Sequence, residues 1–168
     1  MHRNDQTDTQ SRQTSEDNHA DDANQKRQRR RELEHPNCFV CEPHRPFGLR
    51  MAYESQADGS VRAHMDCPKR WQGYPGMVHG GIIASILDGA MTHCLFARDI
   101  AAVTADLHVR YRHPLLVDAD AIVTARITRE MAPVFVLEAS IIQQEKTRCT
   151  ATGKFMDRQF AMGDTMGQ

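Results

Sequence analysis

Val78-His79-Gly80-Gly81-Ile82-Ile83-Ala84-Ser85-Ile86-Leu87-Asp88-Gly89-Ala90-Met91-Thr92-His93-Cys94 is the stretch on which the reading of this chain turns. Two glycines open it, and the apolar run behind them predicts a helix over residues 80 to about 98. Between Gly80 and Ala97 the only formally charged side chain is Asp88. A surface helix keeps a charged face, so a helix that is apolar nearly all round belongs in a core. A carboxylate inside such a helix is costly unless it is paired or put to use. Asp88 is therefore the first residue to explain.

The same stretch is long enough to be weighed as a membrane span. Gly80, Gly81, Gly89, Asp88 and His93 within it, and strand-like sequence on both sides, point instead to the buried helix of a soluble fold. Upstream, residues 48–56 alternate with Leu49, Met51 and Tyr53 on one face, and Asp58-Gly59 turns the chain into residues 61–65, a hairpin signature. Downstream, residues 103–112 alternate with Val103, Ala105, Leu107, Val109 and Tyr111 on one face. That run stops at His113-Pro114, because proline cannot continue a ladder. Further strands are expected over residues 120–129, 134–144 and 148–156. Two strands, one long helix and four strands make an α+β chain whose antiparallel sheet of five to six strands wraps one helix.

The 168 residues suffice for one domain with a sizeable core. That domain is expected over residues 34–157, with a disordered polar tail at 1–33, where almost nothing can be buried, and a C-terminal tail at 158–168. Lys+Arg 21 against Asp+Glu 22 gives no global charge that would favour nucleic acid or an anionic membrane. The basic run Lys26-Arg27-Gln28-Arg29-Arg30-Arg31 reads as a solvated linker. An odd number of cysteines, with no apolar run in the first thirty residues, argues for a reducing, cytoplasmic setting without a secretory signal. Cys38 and Cys41, with His35 or His44 and the distant Cys67, are conceivable zinc ligands. Only two sit at a ligand spacing and no second CxxC follows, so the pair reads as thiols and no metal is expected. His93 reads as a packed imidazole.

A helix N-terminus offers free N–H groups and a partial positive charge, and at Gly80 and Gly81 no side chain keeps a ligand away. Asp88 lies eight residues beyond Gly80, with Thr92 at i+4 and Ser85 at i−3 on the same stripe. An oxyanion donor and a carboxylate on one rigid element suit the hydrolysis of an activated acyl group.

These residues resemble the hotdog-fold acyl-CoA thioesterases of the phenylacetyl-CoA/hydroxybenzoyl-CoA thioesterase-like superfamily. The resemblance rests on Gly76-Met77-Val78-His79-Gly80-Gly81-Ile82-Ile83, on Leu87-Asp88-Gly89-Ala90-Met91, and on the run from Val103 through Asp106-Leu107-His108 to Pro114. Cys38-Phe39-Val40-Cys41 with Gly48-Leu49 is similar to the opening of one branch. The resemblance implies a single hotdog domain that hydrolyses small or medium acyl, or aryl, CoA thioesters. Asp88 would be general base or nucleophile, and the Gly80 N–H, joined by Gly81, the oxyanion donor. Thr92 and Thr104 match hydroxyls that serve the site in different subgroups. His79 matches a loop-orienting position. Where the family commonly carries Asn or Gln ahead of the oxyanion glycine, this chain has Gly73, with Gln72 beside it. Arg110 and Arg112 are candidate contacts for the coenzyme A phosphates. Coenzyme A enters only as part of the substrate, with no separate cofactor. The resemblance further implies a homodimer, or a dimer of dimers, whose site forms between subunits. The readings held beside it are a non-catalytic acyl-CoA sensor on the same fold and a hotdog hydratase, whose His-plus-acid arrangement is not found here.

Overall fold

A computed structural model describes residues 6–163, with side chains from residue 20 onward. Its elements are α1 (Gln6–Glu34), β1 (Glu54–Ser55), β2 (Val61–Met65), α2 (Gly80–Ala97), β3 (Ala102–Tyr111), β4 (Ala121–Met131), β5 (Val134–Gln143), β6 (Lys146–Asp157) and the single turn α3 (Arg158–Ala161). The strands form one antiparallel sheet in the order β1-β2-β4-β5-β6-β3, wrapped around α2. The expected α+β architecture is present, and β3 forms one edge of the sheet.

α2 is apolar because most of it is enclosed. Ile83, Ile86, Leu87, Ala90, Met91, Cys94 and Leu95 are buried with Val61, Val123, Leu137, Ile141, Cys149 and Phe155 from the sheet. The helix has the length and composition of a membrane span, but these contacts use its apolar surface inside the fold. Gly89 is fixed by packing. A Cβ there would lie 2.7 Å from the Tyr53 hydroxyl oxygen and 2.8 Å from Val40 Cγ1. Tyr53 uses the gap to donate a 2.9 Å hydrogen bond to the Ile86 carbonyl.

The expected disordered tail is corrected over its described part. Residues 6–34 contain neither glycine nor proline and form one helix. Its C-terminal half is held by polar contacts in place of an apolar stripe. Asn24 Oδ1 accepts from the Ser55 N–H at 2.9 Å, Arg27 lies 3.4 Å from His93 Nδ1, Arg30 pairs with Asp99, and Arg31 pairs with Glu42. The basic run is thus a docking edge, and the domain begins inside α1. At the other end, residues 158–161 form a helical turn whose Arg158 pairs with Glu34; the last five residues of the expected tail, 164–168, lie outside the described residues. Residues 48–53 join no ladder of the sheet. Leu49, Met51 and Tyr53 are buried on one face as expected, but the Leu49 and Met51 N–H groups bond the carbonyls of Phe39 and Val40, both at 2.8 Å.

Candidate active site

His79 caps α2. Its backbone is extended (φ −62°, ψ 133°), and its Nδ1 accepts the Gly81 N–H at 3.0 Å. Its own N–H donates to the Trp71 carbonyl at 2.8 Å, which fixes the helix start against the preceding loop. A Cβ on Gly73 would come within 3.1 Å of His79 Cα, so the small residue at 73 lets the loop close on the cap. Gln72 braces the same loop, its Oε1 accepting the Gly76 N–H at 2.8 Å.

One part of the expected oxyanion site is corrected here. The Gly81 N–H is already spent on His79, because the cap position places the imidazole against it. No acceptor among the described residues takes the Gly80 N–H, which stays available at the positive end of the helix. The Gly80 carbonyl accepts from the Tyr111 hydroxyl at 2.9 Å, tying β3 to the helix N-terminus. A cavity of about 440 Å³ opens here, lined among others by Gly80, Ile83, Tyr111, Arg112 and Leu115. Its size falls within the range of small-molecule pockets.

Asp88 is half-buried and accepts a 2.6 Å hydrogen bond from Thr104 Oγ1 on β3. Burial pushes its pKa up, and the Thr104 hydroxyl pulls it part of the way back. Strict alternation would put Thr104 on the face opposite Leu107. A register shift between Thr104 and Asp106 changes that, so that Thr104 lies opposite Phe155 while Leu107 lies opposite Gly153. Both partners belong to the inward set of β6, and the bulge turns the hydroxyl toward α2.

Thr92 and Arg110 do not join this group. Thr92 is buried and donates to the backbone carbonyl of Asp88 at 3.0 Å, so the helix itself satisfies its hydroxyl and it does not touch the carboxylate. Ser85 is spent in the same way on the Gly81 carbonyl at 2.9 Å. Arg110 pairs in register with Thr150, whose side chain lines a groove on the outer face of the sheet, so alternation carries Arg110 away from α2. Arg112 lines both this cavity and the groove on the outer face. His93 is enclosed between Tyr53 and Phe96, with its pKa far below the ordinary value because burial penalises the charged ring. Tyr111 and Gln143 carry roles that the sequence did not disclose. Gln143, 1% exposed, accepts the Leu116 N–H at 2.8 Å and donates to the Leu116 and Ala119 carbonyls, pinning the loop behind the cavity. A glutamine at a strand end, next to Gln144, gives no sequence signal for this.

The helix also sets a distance. Gly80 and Asp88 are eight residues apart, about 12 Å at the rise of an α-helix. One thioester carbon has to lie within about 3–3.5 Å of the attacking atom. At the backbone, Gly80 and Asp88 of one chain are thus several times that reach apart.

The Thioesterase superfamily sequence model matches residues 75–150, from the loop before α2 into β6. This segment is similar to the thioesterase superfamily. The rat acyl-coenzyme A thioesterase THEM4 is 36% identical over 87 residues, covering 51% of this chain and 37% of the relative. The mouse THEM4 is 34% identical over the same shares. The chain thus spans little more than a third of the length of these curated relatives. Among solved structures, a thioesterase superfamily protein at 26% identity gives a TM-score of 0.68, covering 71% of this chain and 59% of the other. The E. coli PaaI protein from the phenylacetic acid degradation operon, 18% identical, gives 0.69 over 81% of this chain and 96% of that one. Zebrafish thioesterase superfamily member 2, also 18% identical, gives 0.62 over 70% and 91%. The last two establish likeness of fold, a hotdog sheet around one helix.

Proposed function

We propose that this protein is a member of the thioesterase superfamily and hydrolyses acyl-CoA thioesters, with Asp88 as general base and the Gly80 N–H as oxyanion donor. The observation that carries the reading is the Asp88–Thr104 pair: a half-buried carboxylate, raised in proton affinity, held at 2.6 Å by a hydroxyl that a bulge turns toward it. Raised basicity suits a group that takes a proton from water near neutral pH. The activated water attacks the thioester carbonyl, the Gly80 N–H stabilises the oxyanion, and collapse releases the carboxylic acid and coenzyme A as its thiol. The curated relatives are named acyl-coenzyme A thioesterases, and a solved Streptococcus mutans protein of this fold is bound to acetyl CoA. Arg112, lining the cavity with Gly80, supplies the positive charge for the phosphates.

The separation of about 12 Å along one helix supports a homodimer in which Asp88 of one copy faces Gly80 of the other. Gly81, Ile82, Ala84, Ser85 and Asp88 leave part of α2 uncovered, and β3 is an open edge with Val103 and Tyr111 exposed. Sedimentation equilibrium is expected to give a dimer or a dimer of dimers. Mixing Asp88→Asn and Gly80→Pro chains tests whether the site is shared, since proline at the first position of α2 removes the N–H and keeps the helix. Because the two lesions can segregate into one of two sites, mixed dimers should regain activity that neither parent shows, and no recovery would place both groups in one chain's site.

The deciding assay is coenzyme A release from a panel of acyl-CoAs by the wild type and Asp88→Asn. Single turnover in ¹⁸O-water probes for a nucleophile, since label in the Asp88 carboxylate would mean direct attack followed by opening of the mixed anhydride by water at the protein carbonyl. A second reading, a non-catalytic acyl-CoA binder, draws on Gly73 and on the engagement of the Gln72 amide oxygen with Gly76. Saturable binding of acyl-CoA without turnover across the panel would favour it.

A further inference from the structure

Outside the active site, the described residues bring three metal-ligating side chains together where the sequence offered only two at a ligand spacing. His35 directly follows the last residue of α1, and Cys38 and Cys41 lie on the tight turns behind it, where the Cys38 N–H bonds the His35 carbonyl at 3.3 Å and the Glu42 N–H bonds the Cys38 carbonyl at 3.1 Å. The ligand atoms of the three residues lie within 4.8 Å of one another. We propose that His35, Cys38 and Cys41 bind one zinc-class divalent cation through two sulfurs and one imidazole nitrogen, joining the end of α1 to the core.

Geometry is the first support. With Zn–S near 2.3 Å and Zn–N near 2.05 Å, two ligands of a tetrahedral ion sit about 3.6 Å apart. Cys41 Sγ and His35 Nδ1 are 3.7 Å apart, close to that separation. The surroundings suit two metal-bound sulfurs. The Val40 N–H donates to Cys38 Sγ at 3.4 Å, so the turn directs a backbone dipole at a sulfur that would carry negative charge. The neighbouring cation, Arg31, is paired with Glu42 at 3.0 Å, so it does not oppose a second positive charge. The His35 ring is held edge-on to Phe96 at a centroid distance of 5.0 Å, which limits the reorganisation that binding would require.

Ligand chemistry narrows the ion. Two thiolates and an imidazole select zinc and its softer neighbours over magnesium or calcium, which take oxygen ligands. Two thiolates also neutralise a dication, so its partial burial leaves no net charge in the fold. No fourth His, Cys, Asp or Glu among the described residues completes the set, so the remaining position falls to water, as in an open zinc site. Cys38 and His35 are half-buried, which leaves the ion a route in, while Cys41 is buried and anchors it.

The test uses the full chain, purified reduced, stripped by chelation and then titrated with zinc chloride against a chromophoric chelator, with metal content measured by mass spectrometry. One zinc per chain is expected, and zinc should protect Cys38 and Cys41 of the wild type from alkylation. Cys38→Ser, Cys41→Ser and His35→Gln should each weaken zinc binding by at least the about 10–100-fold that even outer-shell changes cost. Cys94→Ala, on α2 and outside the three-ligand cluster, should not. Retention of no zinc by the reduced wild type overturns the proposal, as does unchanged affinity in a folded Cys38→Ser variant. A Cys38–Cys41 disulfide in glutathione buffer, with no zinc uptake after reduction, also overturns it and makes the pair a redox couple. If the serine variants do not fold, alkylation protection in the wild type decides.

Discussion

Replacing Asp88 with Asn separates the catalytic role of the carboxylate from its structural one. An asparagine oxygen can still accept from Thr104, so the link between α2 and β3 survives while the charge is lost. The 2.6 Å distance lies in the range of charge-assisted O–H···O⁻ bonds. Losing the charge weakens that bond by about 1 kcal/mol. Desolvation acts the other way and dominates, since the net pKa of Asp88 is raised. The folded chain therefore holds this proton more tightly than the unfolded chain, and stability falls as pH rises from the unfolded pKa through the folded one. Above the folded pKa the wild type bears the full penalty and Asp88→Asn bears none. The variant should melt at or above the wild-type temperature at pH 7, with the gain shrinking as pH drops through the folded pKa and vanishing below the unfolded value. Activity should move the opposite way. A positioned general base contributes about 10²–10⁴ in rate, or roughly 2.7–5.4 kcal/mol of barrier. Coenzyme A release followed with a thiol reagent measures the loss in kcat/KM, and scanning calorimetry measures the melt. Activity within about tenfold of wild type would refute the assignment of base catalysis to Asp88. A variant that is both inactive and markedly less stable would show that the carboxylate is structural.

The neighbouring residues should behave differently from one another. Thr104→Val removes the hydroxyl that holds the Asp88 pKa down, so the acid limb of the pH profile of kcat/KM should shift to higher pH; an unmoved limb would assign it to another group. Thr92→Val breaks only a bond to a backbone carbonyl, so denaturation should show a loss of about 0.5–1.5 kcal/mol. Its kcat should stay within about tenfold of wild type, and a larger drop would return Thr92 to the catalytic group. Gly89→Ala forces a Cβ against Tyr53 and Val40 and should cost about 1–3 kcal/mol in urea unfolding, with a neutral result meaning that the Tyr53 ring yields freely.

The central helix and the strands after it were readable because burial writes period and composition directly into sequence. An apolar run of helical length interrupted by one carboxylate announces both a core and a site. α1 was not readable in this way. It has no apolar stripe, and what docks it are contacts such as Asn24 to Ser55 and Arg27 to His93, between residues far apart in the chain. The β5–β6 turn was placed between the expected strands, but its backbone conformation was not readable. Gln144 and Glu145 adopt positive φ of 52° and 58° without the Asn-Gly signal that such turns favour.

By itself, the sequence determined that an apolar helix carrying Asp88 and opened by Gly80 sits inside an antiparallel sheet. Those facts follow from local pattern, since hydrophobic period and glycine placement act over a few residues. Tertiary structure alone decided which polar atoms remain free to act. The His79 cap takes the Gly81 N–H, the Asp88 carbonyl takes the Thr92 hydroxyl, and a bulge brings Thr104 to the carboxylate. It likewise brought His35 to Cys38 and Cys41. Each hydrogen bond consumes a donor that the sequence can only count, and which donor is consumed depends on register and helix phase, both set by packing between distant segments.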